Sequence, residues 1–188
     1  MSDSRVSALR GPKAAAFACA CAQRLLPFYE RFRGETGWDS SAALPDILRK
    51  LWAALEDPVR GSELDVVVDP LAPHADDFDS CLITAAQNCC ICVDTALGYA
   101  GAARAVDVNI AAVPDYVLDA IVSVELCESA GYLSAGDDPR LLEAQQKILL
   151  GKSIRAEQDL QRGHLDILAA AKHLTPDIVR SLRSSSGG

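Results

Sequence analysis

Apolar positions in this chain recur at helical rather than sheet-like spacing. Gly11-Pro12 opens a first helix. Its pattern runs from the Ala-rich stretch Ala14 to Ala22 through Leu25, Phe28, Tyr29 and Phe32, with a kink at Pro27 and an end at Gly34 or Gly37. Asp39, Ser40 or Ser41 can cap a second helix whose stripe Ile47, Leu48, Leu51, Trp52 and Leu55 stops at Asp57-Pro58. Ser62-Glu63-Leu64-Asp65 has the form of a capping box and predicts a short helix, although Val66-Val67-Val68 beside it leans toward extended structure. From about Asp79 to Ala100 the residues are apolar on nearly every side, as suits a central helix surrounded by others, and Gly98 and Gly101 close it. Two further helical segments, Ala102 to Val113 and Asp115 to Ala130, are separated by Pro114, either as a kink or as a break, with Gly131 and Gly136 closing the pair.

Asp138-Pro139 places an N-cap beside an N1 proline and starts a long C-terminal helix expected to reach about His173. Its seam follows a seven-residue pattern, Leu142, Leu149, Ala156 and Gly163 alternating with Ser153, Leu160, Ile167 and Leu174, so it calls for a partner helix in this chain or in a second copy. Thr175-Pro176-Asp177 caps a last short helix, and Ser184 to Gly188 read as a disordered tail. The expected architecture is an all-α, single-domain bundle of seven to nine helices over residues 1–183. Its centre is the helix near 79–100, and its longest element lies near 139–173.

With 188 residues, 49% of them hydrophobic, the chain has ample apolar surface for one core. A formal net charge of −8 makes the polyelectrolyte term for nucleic acid repulsive, and the same balance argues against anionic lipid. No run approaches the roughly 18 apolar residues of a membrane-spanning helix. Arg5, Arg10 and Lys13 before an Ala-Cys-Ala-Cys-Ala segment imitate an export signal, but the pattern continues as an amphipathic helix of the fold. Seven cysteines is an odd number, and only Cys89 and Cys92 show zinc-type spacing, without a second pair or a nearby His. Small buried thiols in a reducing compartment are the expectation, which places the protein in the cytoplasm without a cofactor.

The densest cluster of chemistry is Asp76-Asp77-Phe78-Asp79. Three carboxylates around one aromatic serve as helix caps, as cation ligands or as a partner-binding face. A helical calcium loop would need a central Gly and a distal Glu, and neither is present, so no metal is assigned, and Asp76, Asp77 and Asp79 are candidates only if a metal is found. Capping of the central helix by Asp77 or Asp79 is the plain alternative. His74 beside the block reads as an exposed loop histidine. Asp115 and Asp119 lie one turn apart, with Glu125 and Glu128 further on, a face that is usually solvated. Arg24 with Tyr29 either anchors a small anion or, as favoured here, holds an internal carboxylate. No nucleophile elbow occurs, and Asp137 and Asp138 stand where a phosphate loop would need Lys and Ser/Thr.

Phe17, Arg24, Pro27, Tyr29, Phe32, Thr36 and Gly37, then Pro73 with Ala75-Asp76-Asp77-Phe78-Asp79, then Ala105-Val106-Asp107-Val108, resemble the bacterial YjaG-like family, domain of unknown function 416. The resemblance covers roughly residues 14 to 125 and implies an all-helical cytoplasmic protein, able to dimerise, with no established activity. The chain departs from that pattern at Gln23, where Glu is expected, at Phe28, where Asn is usual, and at Asn88, where an acid is expected. The departures take carboxylates, and at Phe28 a polar amide, from places where a shared catalytic site would be sought. The sequence therefore points to a non-catalytic interaction module, regulatory or inhibitory, whose acidic face at Asp76 to Asp79 meets a basic protein partner. The alternative is a metal- or small-molecule-binding protein, or an enzyme, built on helix-end carboxylates.

Overall fold

The computed structural model describes residues 3–38, 44–57, 72–78, 80–101, 109–130 and 139–187. They form α1 (Ser4–Ala8), α2 (Gly11–Thr36), α3 (Leu44–Glu56), α4 (Ile83–Tyr99), α5 (Val113–Ala130), α6 (Pro139–Leu149), α7 (Lys152–Ala170) and α8 (Pro176–Ser186), with one-turn 3-10 helices at Ala75–Asp77 and Ile110–Ala112. The described residues contain no strand, as an all-α fold requires.

The long helix α2 organises the bundle, because α3, α4, α5, α7 and α8 all pack against it. Its first half is apolar all round, and Ala14 to Ala22 have no exposed surface at all. The small side chains let α4 approach closely along its whole length, where Ala85, Ala86, Cys89, Cys92 and Ala96 form the facing surface of the core. The stretch that imitates an export signal is thus the middle of the core. Gly37 ends α2 in a left-handed conformation, φ 67°, and its N–H donates to the Arg33 carbonyl. The stripe Ile47, Leu48, Leu51, Trp52 and Leu55 of α3 is buried as predicted. Pro114 lies in the first turn of α5, where a missing N–H costs nothing, so it starts a helix rather than kinking one.

Three expectations change. The stretch 139–173 is two helices, broken at Leu150-Gly151. A Cβ at Gly151 would sit 2.8 Å from the Ile148 carbonyl oxygen, so the turn tolerates only glycine. The buried face of α7 is not the seven-residue seam but Ile154, Glu157, Gln161, His164, Leu165 and Leu168, while Ala156 and Ile167 are exposed. Ser184 to Ser186, expected in a disordered tail, complete α8, and Ser186 is buried. The predicted helix after Ser62, the cap positions 39–41, the segment 105–108, the glycines 131 and 136 and the Asp138 cap lie outside the described residues. Thr175 does cap α8, its Oγ1 accepting the Ile178 N–H, with Pro176 at the first helical position.

Candidate functional site

Pro27, inside α2, cannot donate the N–H that would close the helical bond to the Gln23 carbonyl, and its ring is exposed. Around this point the bundle leaves a cleft of about 580 Å³. One wall is α2 from Gln23 to Phe28 with Glu30. The opposite wall is α5, through Val117, Ile121, Val124, Glu125 and Glu128. Ser153, Glu157 and Leu160 of α7 and Ser185, Ser186 and Gly187 at the end of α8 close it.

Arg24 and Glu157 meet here, both almost fully buried, with 9% and 6% of their side chains exposed. Glu157 Oε1 accepts from Arg24 Nε at 3.0 Å, Arg24 Nη2 at 2.8 Å and Gln161 Nε2 at 2.7 Å. Gln161 Nε2 also reaches the Pro114 carbonyl at 3.4 Å, which ties α7 to the start of α5. Arg24 Nη1 donates to the Ala20 carbonyl at 2.9 Å, and Nη2 contacts Cys21 Sγ at 3.3 Å. A buried guanidinium is tolerable only with this degree of pairing. Arg24 thus holds an internal carboxylate. Tyr29, grouped with it on sequence grounds, faces the core, its ring edge-on to Trp38 with centroids 6.0 Å apart, and it does not line the cleft.

Beside the pair, His164 is 2% exposed and its Nε2 lies 2.8 Å from Ser185 Oγ. Its Nδ1 is buried without a partner among the described residues. Burial, and then the neighbouring Arg24 charge, lower its pKa to about 4, so the ring is neutral at pH 7.

The acids divide into two sets. Glu128 is held by Arg31 at 2.6 Å, and Arg31 also holds Glu35 at 2.7 Å. Glu30 and Glu125 line the same cleft and form no ion pair among the described residues. Asp115 and Asp119 are exposed outside the cleft, and Asp119 Oδ2 accepts from Asn88 Nδ2 at 3.2 Å. Asn88 also donates to the Tyr116 carbonyl at 2.9 Å. These two acceptors explain an amide where an acid was expected, because a carboxylate has no N–H to offer them. Gln23 accepts the Trp52 indole N–H at 3.2 Å, and Phe28 contributes apolar wall to the cleft, so both departures from the family pattern have a structural use.

The acidic block is a separate exposed loop. Asp76 and Asp77 lie in the one-turn 3-10 helix, exposed, as is His74 before them. Phe78 anchors the loop with its ring edge-on to Phe32, centroids 5.3 Å apart. Asp79 lies outside the described residues. Asp77 does not cap α4: Ser80 Oγ accepts the Leu82 N–H there at 3.2 Å, one residue ahead of the helix. Among the described residues no group of three or more His, Cys, Asp or Glu side chains is arranged to hold a metal ion.

All seven cysteines are free thiols, five buried and two half-buried. Burial pushes Cys21 and Cys90 up to about 12 and Cys19, Cys89 and Cys92 well above the usual thiol range. No helix of the described residues is long and apolar enough to cross a membrane.

Comparison with known proteins gives two findings. A family model described as a protein of unknown function, DUF416, matches residues 2–187. The crystal structure of a DUF416 family protein from Shewanella baltica OS155 superposes with a TM-score of 0.70, covering 97% of this chain and 91% of that one at 24% sequence identity. At that identity the likeness shows the fold alone. No curated protein matches.

Proposed function

This chain belongs to the DUF416 family of proteins of unknown function, and on that premise we propose that it is a non-catalytic interaction protein whose cleft at Pro27 receives a basic, partly apolar segment of a protein partner. The observation that carries this reading is the pair Glu30 and Glu125, two carboxylates without ion pairs among the described residues, on the lining of a cleft that also presents Leu26, Phe28, Val117, Ile121, Val124 and Leu160. An apolar wall with unpaired acids fits a lysine or arginine side chain, whose methylene stem packs on the wall while its charge meets the carboxylates. The net charge of −8 steers such a partner in. The exposed acids Asp76 and Asp77, ahead of the half-buried Phe78, offer the partner a second acidic contact.

Binding is favoured over catalysis because the polar groups at the base of the cleft are committed to one another. Arg24, Glu157 and Gln161 are joined in one network and hold the walls together. A second reading, an organic cation bound as a small-molecule ligand, draws on the cleft volume of about 580 Å³, within the roughly 300–1,000 Å³ of small-molecule sites.

The test is fluorescence anisotropy with a labelled peptide of alternating Lys and Leu residues, titrated with wild type and with the Glu30→Gln/Glu125→Gln variant. Saturable binding that weakens at least tenfold in the variant and weakens again with added salt supports the reading. Equal binding to both proteins rejects it. Displacement of the peptide by spermidine at comparable concentration shifts the assignment to the small cation.

A further inference from the structure

We propose that Cys81 and Cys127 are a redox pair that closes to a disulfide between the start of α4 and the last turn of α5. Cys81 lies in the turn just ahead of α4, Cys127 lies near the end of α5, and these two helices pack against each other. Phe78, three residues before Cys81, packs on Phe32, and Glu128, next to Cys127, pairs with Arg31, so both thiols lie at the same level of α2, where the Cys81 thiol is close enough to raise the Cys127 pKa. They are also the two cysteines that are only half-buried, whereas Cys19, Cys21, Cys89, Cys90 and Cys92 are enclosed in the core. Far apart in sequence yet meeting at the surface, they are the thiols of this chain that an external oxidant can reach and that can then reach each other.

The reaction needs an oxidant, and a low-molecular-weight disulfide such as oxidised glutathione supplies it. One protein thiol loses its proton and attacks a glutathione sulfur, expelling one glutathione thiolate and leaving a mixed disulfide. The second protein thiol, deprotonated, attacks the protein sulfur of that mixed disulfide and expels the second glutathione thiolate. Two S–H bonds are lost, one S–S bond forms in the protein and one breaks in the oxidant. The two electrons leave on the glutathione thiolates and two protons pass to solvent.

Burial, and next the adjoining Cys81 thiol, push Cys127 up to about 11, so Cys127 is not a fast thiol at neutral pH. Closure is therefore slow near pH 7 and accelerates with pH, as expected of a pair that responds to sustained oxidation. The next residue, Glu128, lines the cleft and holds Arg31, so closure would fasten the cleft rim from behind. The pairing itself is independent of what the cleft binds.

The experiment uses the folded, reduced wild-type chain. It is incubated with oxidised glutathione at pH 7 and pH 9, blocked with an alkylating agent, digested and analysed by mass spectrometry, with circular dichroism confirming the fold throughout. The expected product is a Cys81–Cys127 linked peptide two hydrogens lighter than its reduced parts, formed faster at pH 9 and reversed by dithiothreitol. In Cys81→Ser the expected end state is a stable glutathione adduct at Cys127. Separate glutathione adducts on Cys81 and Cys127 in wild type, unmodified thiols at pH 9, or linkage to a core cysteine instead would overturn the proposal.

Discussion

Replacing Glu157 by Ala removes one carboxylate from a site that is 6% exposed and leaves the Arg24 guanidinium, 9% exposed, without its counter-charge. Glu157 Oε1 accepts three hydrogen bonds, two from Arg24 at 3.0 and 2.8 Å and one from Gln161 at 2.7 Å. What remains to Arg24 is the Ala20 carbonyl, the Cys21 sulfur and a long 3.5 Å contact to Ser186 Oγ, all uncharged. Breaking a buried ion pair from one side costs about 3–5 kcal/mol, chiefly because the surviving charge stays desolvated. For a chain of this length that corresponds to a fall in Tm of about 10 °C. The double variant Arg24→Met/Glu157→Leu removes both charges and keeps apolar volume. It should recover most of the loss, because a buried pair exchanged for well-packed hydrophobic residues is close to neutral. Urea unfolding of wild type, Arg24→Met, Glu157→Leu and the double variant gives the coupling energy directly. A loss below about 1 kcal/mol in Glu157→Ala, or a double variant as unstable as the sum of its singles, would refute the reasoning.

The His164 ring, held at a pKa of about 4 against 6.5 when unfolded, binds its proton in the unfolded chain first. Stability therefore falls as pH drops from about 6.5 to 4 and stops changing on this account below 4; the full step is about 3 kcal/mol, read as the difference between wild type and His164→Gln across a pH series of urea midpoints. Gly151→Ala drives a Cβ to 2.8 Å from the Ile148 carbonyl oxygen and should cost about 1–3 kcal/mol by thermal melting, with no loss meaning that the α6–α7 turn is looser than described. Phe78→Ala removes the edge contact to Phe32 and should cost about 1–2 kcal/mol while speeding hydrogen exchange at Asp76 and Asp77; unchanged exchange there would show that the ring does not anchor the acidic loop.

The parts of the fold that were legible in the sequence are those where burial and hydropathy agree. The Ala-Cys run of α2, the stripe of α3 and the apolar α4 bury the residues their patterns select, and the Thr175-Pro176 start of α8 is written in cap chemistry. The face of α7 was not legible because it buries Glu157, Gln161 and His164, residues that a hydropathy pattern assigns to solvent. Only their partners make them interior: Arg24 lies more than a hundred residues away, and no local spacing announces it. The broken helix does carry a sequence signal, since Leu149-Leu150-Gly151 puts a glycine in the middle of the seven-residue pattern. The acidic block is the densest chemistry in the sequence, yet Asp76 and Asp77 are exposed on a loop, and the cleft lies at Pro27. Proline inside a helix with glutamates on both facing walls was the available sign, and it needed the pairing of α2 with α5 to be seen.

The central claim, that a basic partner segment seats in the cleft at Pro27, is tested most directly by mapping amide chemical-shift changes in isotopically labelled protein as the Lys/Leu peptide is added. The account predicts changes centred on Leu26, Phe28, Glu30, Val124 and Glu125, saturating together with a single affinity that is at least tenfold weaker in the Glu30→Gln/Glu125→Gln variant. Changes confined to the loop at Asp76 and Asp77, or scattered over the surface without saturation, would contradict it.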